Sequence, residues 1–277
     1  EVDKEQMEAK DYAIASGLSA MFGTVVSTDV NTAQFTDCLL GSTQGGYYAD
    51  ANNGWTNTIS KYNPTDNWTN VFMYSDKVIP QLYSNMSNVE GISEDSLVLA
   101  ILKIVKVCVL NRVTDTYGPI PYSEIGSTGK IQGAYDDQPK VYSQMFDELD
   151  EAIALLDENI DRSITSTTDQ VFDGTAVKWC RFANSMKLRL AMRVVYTDFV
   201  SSKGLSPQQL GEQAVAHSVG VMQSNADNAQ LSSLAFGKDG NPLYTACMYN
   251  SPAGSVTGGD SHAAADIICY MNGYEDP

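Results

Sequence analysis

Apolar residues in this chain recur mostly at helical spacing, and no stretch sustains the alternation that strands require. Met7, Ile14, Leu18, Met21 and Phe22 predict a first helix, with Asp3 and Gln6 as its capping box. From Val25 to Asn63 the periodicity lapses into Thr, Asn, Gly and Asp, which predicts a long irregular loop. Asn63-Pro64 opens a second helix lined by Trp68, Val71, Phe72, Ile79, Leu82 and Met86, with a kink or break expected at Pro80. Ser93 is placed to cap the next helix, with Glu94 and Asp95 in its first turn. Leu97 to Val113 is apolar almost all round, so this helix should lie at the centre of the fold.

That central helix runs into Tyr117-Gly118-Pro119-Ile120-Pro121-Tyr122. Gly118 should end it in a left-handed cap, and the two prolines hold the following backbone extended. Beyond a polar loop, Pro139 starts an amphipathic helix. Val141, Tyr142, Met145, Leu149, Ile153 and Leu156 are its predicted inner face, and Asp147, Glu148, Asp150 and Glu151 its wet face. Thr175 opens a further helix to Val200, with Val177, Phe182, Met186, Leu190 and Val194 read as inward. Its five cations, Lys178, Arg181, Lys187, Arg189 and Arg193, are expected opposite the acidic helix before it. Ser206-Pro207-Gln208-Gln209 combines a cap, a first-turn proline and a capping-box glutamine, and Leu210, Ala214, Val215 and Met222 continue from it. After Gln230 the pattern dissolves into surface loops, with one short helix expected over Ala263 to Met271. The sum is an all-α chain of antiparallel helix pairs, similar to a tetratricopeptide stack, with long irregular surface loops. No strict sequence repeat at the roughly 34-residue tetratricopeptide period accompanies it.

Composition narrows the partners. The chain has 277 residues, of which 43% are hydrophobic, enough for a sizeable core. Lys plus Arg is 17 against 34 Asp plus Glu, a net charge of -17. That balance argues against nucleic-acid binding and against docking on anionic lipid through a basic patch. The five cysteines, Cys38, Cys108, Cys180, Cys247 and Cys269, are far apart and form no CxxC pair. They predict free thiols, buried at Cys108 and Cys180. His217 and His262 have no metal-type partners at ligand spacing, so neither a metal nor a cofactor is expected. Leu97 to Leu110 is too short for a bilayer span and carries Lys103 and Lys106.

Motifs for catalysis are absent: there is no GxSxG, HExxH, phosphate-binding glycine loop or EF-hand loop. Acid pairs such as Asp136-Asp137 are the common product of an acidic composition. The aromatic and amide cluster is more informative. Tyr47, Tyr48, Trp55, Tyr62, Trp68 and Tyr74 lie close together, with Asn52, Asn53 and Asn57 among them. Aromatic rings stack on the apolar faces of sugars, and Asn amides both donate to and accept from hydroxyls. Trp68, at helical spacing from Phe72, reads as core. Tyr47, Tyr48, Asn52, Asn53 and Trp55 remain as the candidate ligand-binding residues.

Three segments resemble one family. The apolar helix ending in YGPIPYSEI resembles the helix and YGDVPY turn of SusD/RagB-type lipoproteins. Ala176 to Arg193, AVKWCRFANSMKLRLAMR, resembles the family's W.kfanslklRla.R helix, the most specific of the three. Tyr270 to Pro277 resembles the approach to its DPR motif. The resemblance implies a SusD-like α/α fold with tetratricopeptide-like helix pairs, on the outer membrane of Bacteroidota and tethered by a lipidated N-terminal cysteine. It implies a lid on a SusC-like TonB-dependent transporter that captures glycans, or sometimes peptides, and carries no catalysis. In starch-binding members the loop after the first helix contributes to the site, which favours Tyr47, Tyr48 and Trp55. The expectation is one SusD-like domain over residues 1–277, trimmed of its lipid anchor and of the family's C-terminal continuation. A helical-repeat adaptor for another protein is the alternative reading, and a glycoside hydrolase with two carboxylates in one cleft is the third.

Overall fold

The computed structural model describes residues 9–25, 33–50, 74–123, 133–165, 168–231 and 261–276. Its helices are α1 (Ala9–Val25), α2 (Tyr74–Ile92), α3 (Ser96–Tyr117), α4 (Gln138–Asp157), α5 (Ala176–Val194), α6 (Pro207–Ala216) and α7 (Ala265–Tyr274). The predicted long loop is partly helical: Ala33–Gly41 winds with the wider π spacing and passes into a short α-turn, Ser42–Gln44. Cys38 and Leu39 are the reason, because both are buried there. Strands β1 (Tyr48–Asp50) and β2 (Ser261–Ala263) form one antiparallel pair. The chain divides into two compact units, Glu1–Val25 with Ile79–Ser232, and Val26–Val78 with Ser233–Pro277.

In the larger unit α3 is the core. Leu97, Ile101, Leu102, Ile104, Val107 and Leu110 are fully buried, and the helix packs against α1, α4 and α5. Its cap is Asp95, whose carboxylate accepts from the Leu97 amide at 2.9 Å, so the cap lies two residues beyond the expected Ser93. Gly118 ends it with φ 79° and ψ -117°. This positive φ lies outside the left-handed helical well, and glycine adopts it most readily. The Gly118 amide still donates to the Thr114 carbonyl at 2.7 Å. α2 is continuous through Pro80, while Trp68, Val71 and Phe72 lie outside the described residues.

α4 presents the predicted inner face, with Val141, Tyr142, Met145, Leu149, Ile153 and Leu156 all buried. Its acidic side does not simply face water. Glu148 pairs with Lys106 of α3, and Asp150 with Lys187 of α5 at 2.7 Å. Only part of the α5 charge row meets α4, however. Arg181 turns to Asp227 at 2.6 Å and Arg193 to Asp115 at 3.1 Å. The α5 inner face is also rotated from its expected position. Trp179, Cys180, Ala183, Asn184, Lys187, Leu190 and Ala191 are buried, whereas Val177, Phe182, Met186 and Val194 are only half-buried.

Trp179 sets that rotation. Its ring lies edge-on to Phe172 at 5.1 Å and stacks with Phe22 of α1 at 6.0 Å. α6 opens on the predicted capping box, with the Ser206 hydroxyl accepting from the Gln209 amide and the Gln209 side chain accepting from the Ser206 amide. Val215, read as inward, is exposed, and Met222 lies beyond the helix. Ser206→Ala is expected to cost about 1 kcal/mol by thermal denaturation, because the Gln209 amide loses its side-chain acceptor.

Candidate functional site

In the smaller unit, three short hydrogen bonds fold the chain after the Ser42–Gln44 turn. The Gly45 amide donates to Gly41 at 2.9 Å, Gly46 to Thr43 at 3.2 Å and Tyr47 to Ser42 at 2.9 Å. Gly46 takes φ +75°, and a Cβ there would lie 3.8 Å from Asp266 of α7. The turn delivers Tyr47 with 58% of its surface exposed. Its carbonyl accepts from the Ala264 amide at 2.9 Å, and Tyr48 lies opposite Ala263 in the strand pair. Two of the five sequence candidates, Tyr47 and Tyr48, are thus held on one strand edge, with Tyr47 turned to solvent. Asn52, Asn53 and Trp55 lie outside the described residues.

α7 adds aromatic surface in the segment that resembles the approach to the DPR motif. Tyr270 and Tyr274, four residues apart and so on one helix face, stack at 6.4 Å with 5° between their rings. They are 66% and 80% exposed, and no residue of this helix is buried. Asp266, one turn earlier on the same face, is the residue that approaches Gly46. Flat, half-polar rings of this kind suit the apolar faces and hydroxyls of a neutral sugar.

The larger unit carries a cleft of about 610 Å³ between the ends of α3, α4 and α5, within the range of small-ligand pockets. Its polar wall is a closed network. Asp115 accepts from the Tyr142 hydroxyl at 2.5 Å on one oxygen and holds Arg193 at 3.1 Å on the other. Asn111 donates to the Tyr142 oxygen at 3.2 Å. Burial and then the Asp115 carboxylate push the Tyr142 phenol above its usual range. Hydrogen bonding to Tyr142, then the charge of Asp115, raises Arg193 further. Asp198 also lines this cleft. Asp115 thus has a partner on each oxygen, Tyr142 on one and Arg193 on the other.

A third cluster joins Asp157, Cys180 and His217. His217 Nε2 lies 2.9 Å from one Asp157 oxygen, and Cys180 Sγ lies 3.8 Å from the other. The order is wrong for a nucleophilic thiol, because the carboxylate and not the imidazole faces the sulfur. Burial, then Asp157, pushes the Cys180 thiol up to about 12, where it is no nucleophile at neutral pH.

The chain matches the SusD-like family, Susd and RagB outer membrane lipoprotein, over residues 1–277. The protein belongs to the SusD/RagB family. A SusD homologue from Bacteroides uniformis ATCC 8492 is similar at 50% identity and TM-score 0.84, over 96% of this chain and 53% of its own. Another, from Bacteroides ovatus ATCC 8483, shares 35% identity with TM-score 0.82, over 96% of this chain and 51% of its own. A chitin-binding SusD homologue from Flavobacterium johnsoniae shares 32% identity with TM-score 0.74, over 95% of this chain and 52% of its own. This SusD-like chain therefore spans about half the length of the homologues it matches. Comparison with curated proteins gives no match. Among the described residues no helix is long and apolar enough to cross a membrane.

Proposed function

We propose that this SusD-like chain is a non-enzymatic, lipid-anchored binding protein on the outer face of the cell outer membrane. It captures a glycan, or a peptide, and delivers it to a SusC-like TonB-dependent transporter, with residues 1–277 acting as one SusD-like domain. Family membership over the whole chain carries this reading. The exposed Tyr47 edge gives it a ligand surface, with Tyr48, Asn52, Asn53 and Trp55 as its further contacts and Tyr270 and Tyr274 as an added stacking face. Phenol and indole rings bind sugar rings by stacking, and no charge is needed to hold a neutral oligosaccharide.

Isothermal titration with chitooligosaccharides is the first test, since one similar protein is chitin-binding. A glycan and peptide array then widens the search. Trp55→Ala and Tyr47→Ala are each expected to weaken binding by about tenfold or more, as loss of a stacking anchor does. Unchanged affinity in both variants removes this surface as the site. Absence of binding to every oligosaccharide and peptide defeats the capture reading itself. Co-purification with a SusC-like transporter tests the delivery step, and a different protein partner would favour an adaptor instead.

A further inference from the structure

The sequence gives His217 no metal-type neighbour, yet the fold gives it two. Asp157 is the last residue of α4, Cys180 lies in the first turns of α5, and His217 follows the last residue of α6. Their donor atoms all lie within 4.8 Å of one another. We propose that Asp157, Cys180 and His217 form a binding site for a single zinc-class divalent ion, closed by a solvent ligand.

Four observations carry this. The donor set is a thiol, an imidazole and a carboxylate, the combination that suits zinc and cobalt over calcium or magnesium. The spacing is close to what such an ion needs: bond lengths of about 2.0–2.3 Å at a tetrahedral angle put ligand atoms about 3.3–3.6 Å apart. Here the imidazole nitrogen lies 2.9 Å from one Asp157 oxygen and the sulfur 3.8 Å from the other, and the three donors lie within 4.8 Å of one another, so a turn of the carboxylate with an inward shift of the ring and the sulfur brings them to that spacing. The thiol is fully buried, but its two polar contacts, Asp157 at 3.8 Å and Asn184 at 3.9 Å, are both at the long limit for sulfur. Finally, the C-terminal ends of α4 and α6 both meet at this point, and their partial negative charge favours a cation.

The nearest competing cation is already engaged. Arg181, next to Cys180, is held by Asp227 at 2.6 Å. Access is open on one side, since the Asp157 side chain is 43% exposed and that of His217 is 18% exposed. That leaves a fourth position for water. Protons balance as follows. The ion displaces the thiol proton, which goes to solvent, and Cys180 binds as thiolate. The ion takes His217 at Nε2, so the ring proton moves to Nδ1. The contact that Nδ1 now accepts from the Val219 amide, long at 3.3 Å, is given up.

Cobalt(II) titration of the full chain tests this, in a background with Cys269→Ser and Cys247→Ser, which removes the exposed thiol found among the described residues of the other unit and the second thiol of its C-terminal segment. The expected result is one equivalent bound, with a thiolate-to-cobalt charge-transfer band and the visible bands of a tetrahedral ion. Zinc should abolish both signals by competition and raise the melting temperature. Cys180→Ser and His217→Ala should each weaken binding by at least about a hundredfold and erase the charge-transfer band. Should Cys180→Ser fail to fold, His217→Ala decides, because that ring sits at the edge of the unit. A wild-type chain with no charge-transfer band, or a band that survives His217→Ala, overturns the site.

Discussion

Replacing Asp169 with alanine is expected to destabilise the larger unit by about 4 kcal/mol. Asp169 is fully buried. One oxygen accepts from the amides of Val171 at 2.9 Å and Phe172 at 3.2 Å, and the other from the Gly174 amide at 2.8 Å and the Trp179 indole at 2.6 Å. Truncation strands four donors at once, and each buried unpaired donor costs about 1–3 kcal/mol before relaxation and water recover a part. The loop has little room to relax. Gly174 takes φ +77°, and a Cβ there would lie 1.9 Å from the Ile164 carbonyl oxygen. The same carboxylate fixes Trp179, around which Phe22, Phe172 and Phe182 are arranged. Urea denaturation measures the loss, and Asp169→Asn, which keeps the shape and one acceptor, should lose about half as much. A change below about 1 kcal/mol for the alanine variant would show that the cage is not what holds the loop. At a typical domain stability of about 5–15 kcal/mol, the expected loss is a large fraction of the whole.

The family motif around Trp179 can be read in physical terms from this cage, and it shows where sequence reasoning stops. Hydrophobicity placed Val177, Phe182 and Met186 inward because they are the larger apolar side chains of α5. The buried stripe instead contains Ala176, Ala183 and Ala191, whose small size lets neighbouring helices approach, and a lysine satisfied by Asp150 and Gln213. Periodicity was sufficient for α3 and α4, where large apolar residues occupy the whole inner face. It failed where alanine and a paired charge share that face. Of the α4 acids' partners, Lys187 was expected from the charge row of α5 and does meet Asp150, whereas Lys106 sits within the apolar run of α3 and no spacing pairs it with Glu148. Tyr47 and Tyr48 were legible as aromatics in a polar loop. The stacking of Tyr270 on Tyr274 was obscured by its place in a recognised motif. Asp157, Cys180 and His217 were illegible because their proximity exists only after three helices have packed.

The turn after α3 supplies the second large effect, through Asp136. Its backbone pairs with Ile120 in both directions, at 2.9 and 3.2 Å. Its buried carboxylate accepts from the Ser123 amide at 2.7 Å, the Ser123 hydroxyl at 3.0 Å, the Tyr122 amide at 3.2 Å and Lys140 at 2.6 Å. Burial alone would raise its pKa, but the Lys140 bond and those from Ser123 and Tyr122 outweigh it and hold the group at about 2. The folded pKa lies below the unfolded one of 3.8, so the unfolded chain takes up the proton first as pH falls. The stabilisation is therefore complete above about pH 5 and drains away between about pH 4 and pH 2. A difference of nearly two units corresponds to roughly 2.5 kcal/mol. Asp136→Asn should accordingly be about 2–3 kcal/mol less stable at pH 7, with the gap from wild type shrinking below about 1 kcal/mol near pH 2. Because Asp227, also held at about 2 by the Gln223 amide and Arg181, titrates in both proteins, its contribution cancels in that comparison. Urea midpoints of the two proteins across this range give the test. A gap that stays constant with pH would mean that Asp136 anchors Tyr122 and Ser123 by shape, and that its charge contributes nothing to the turn.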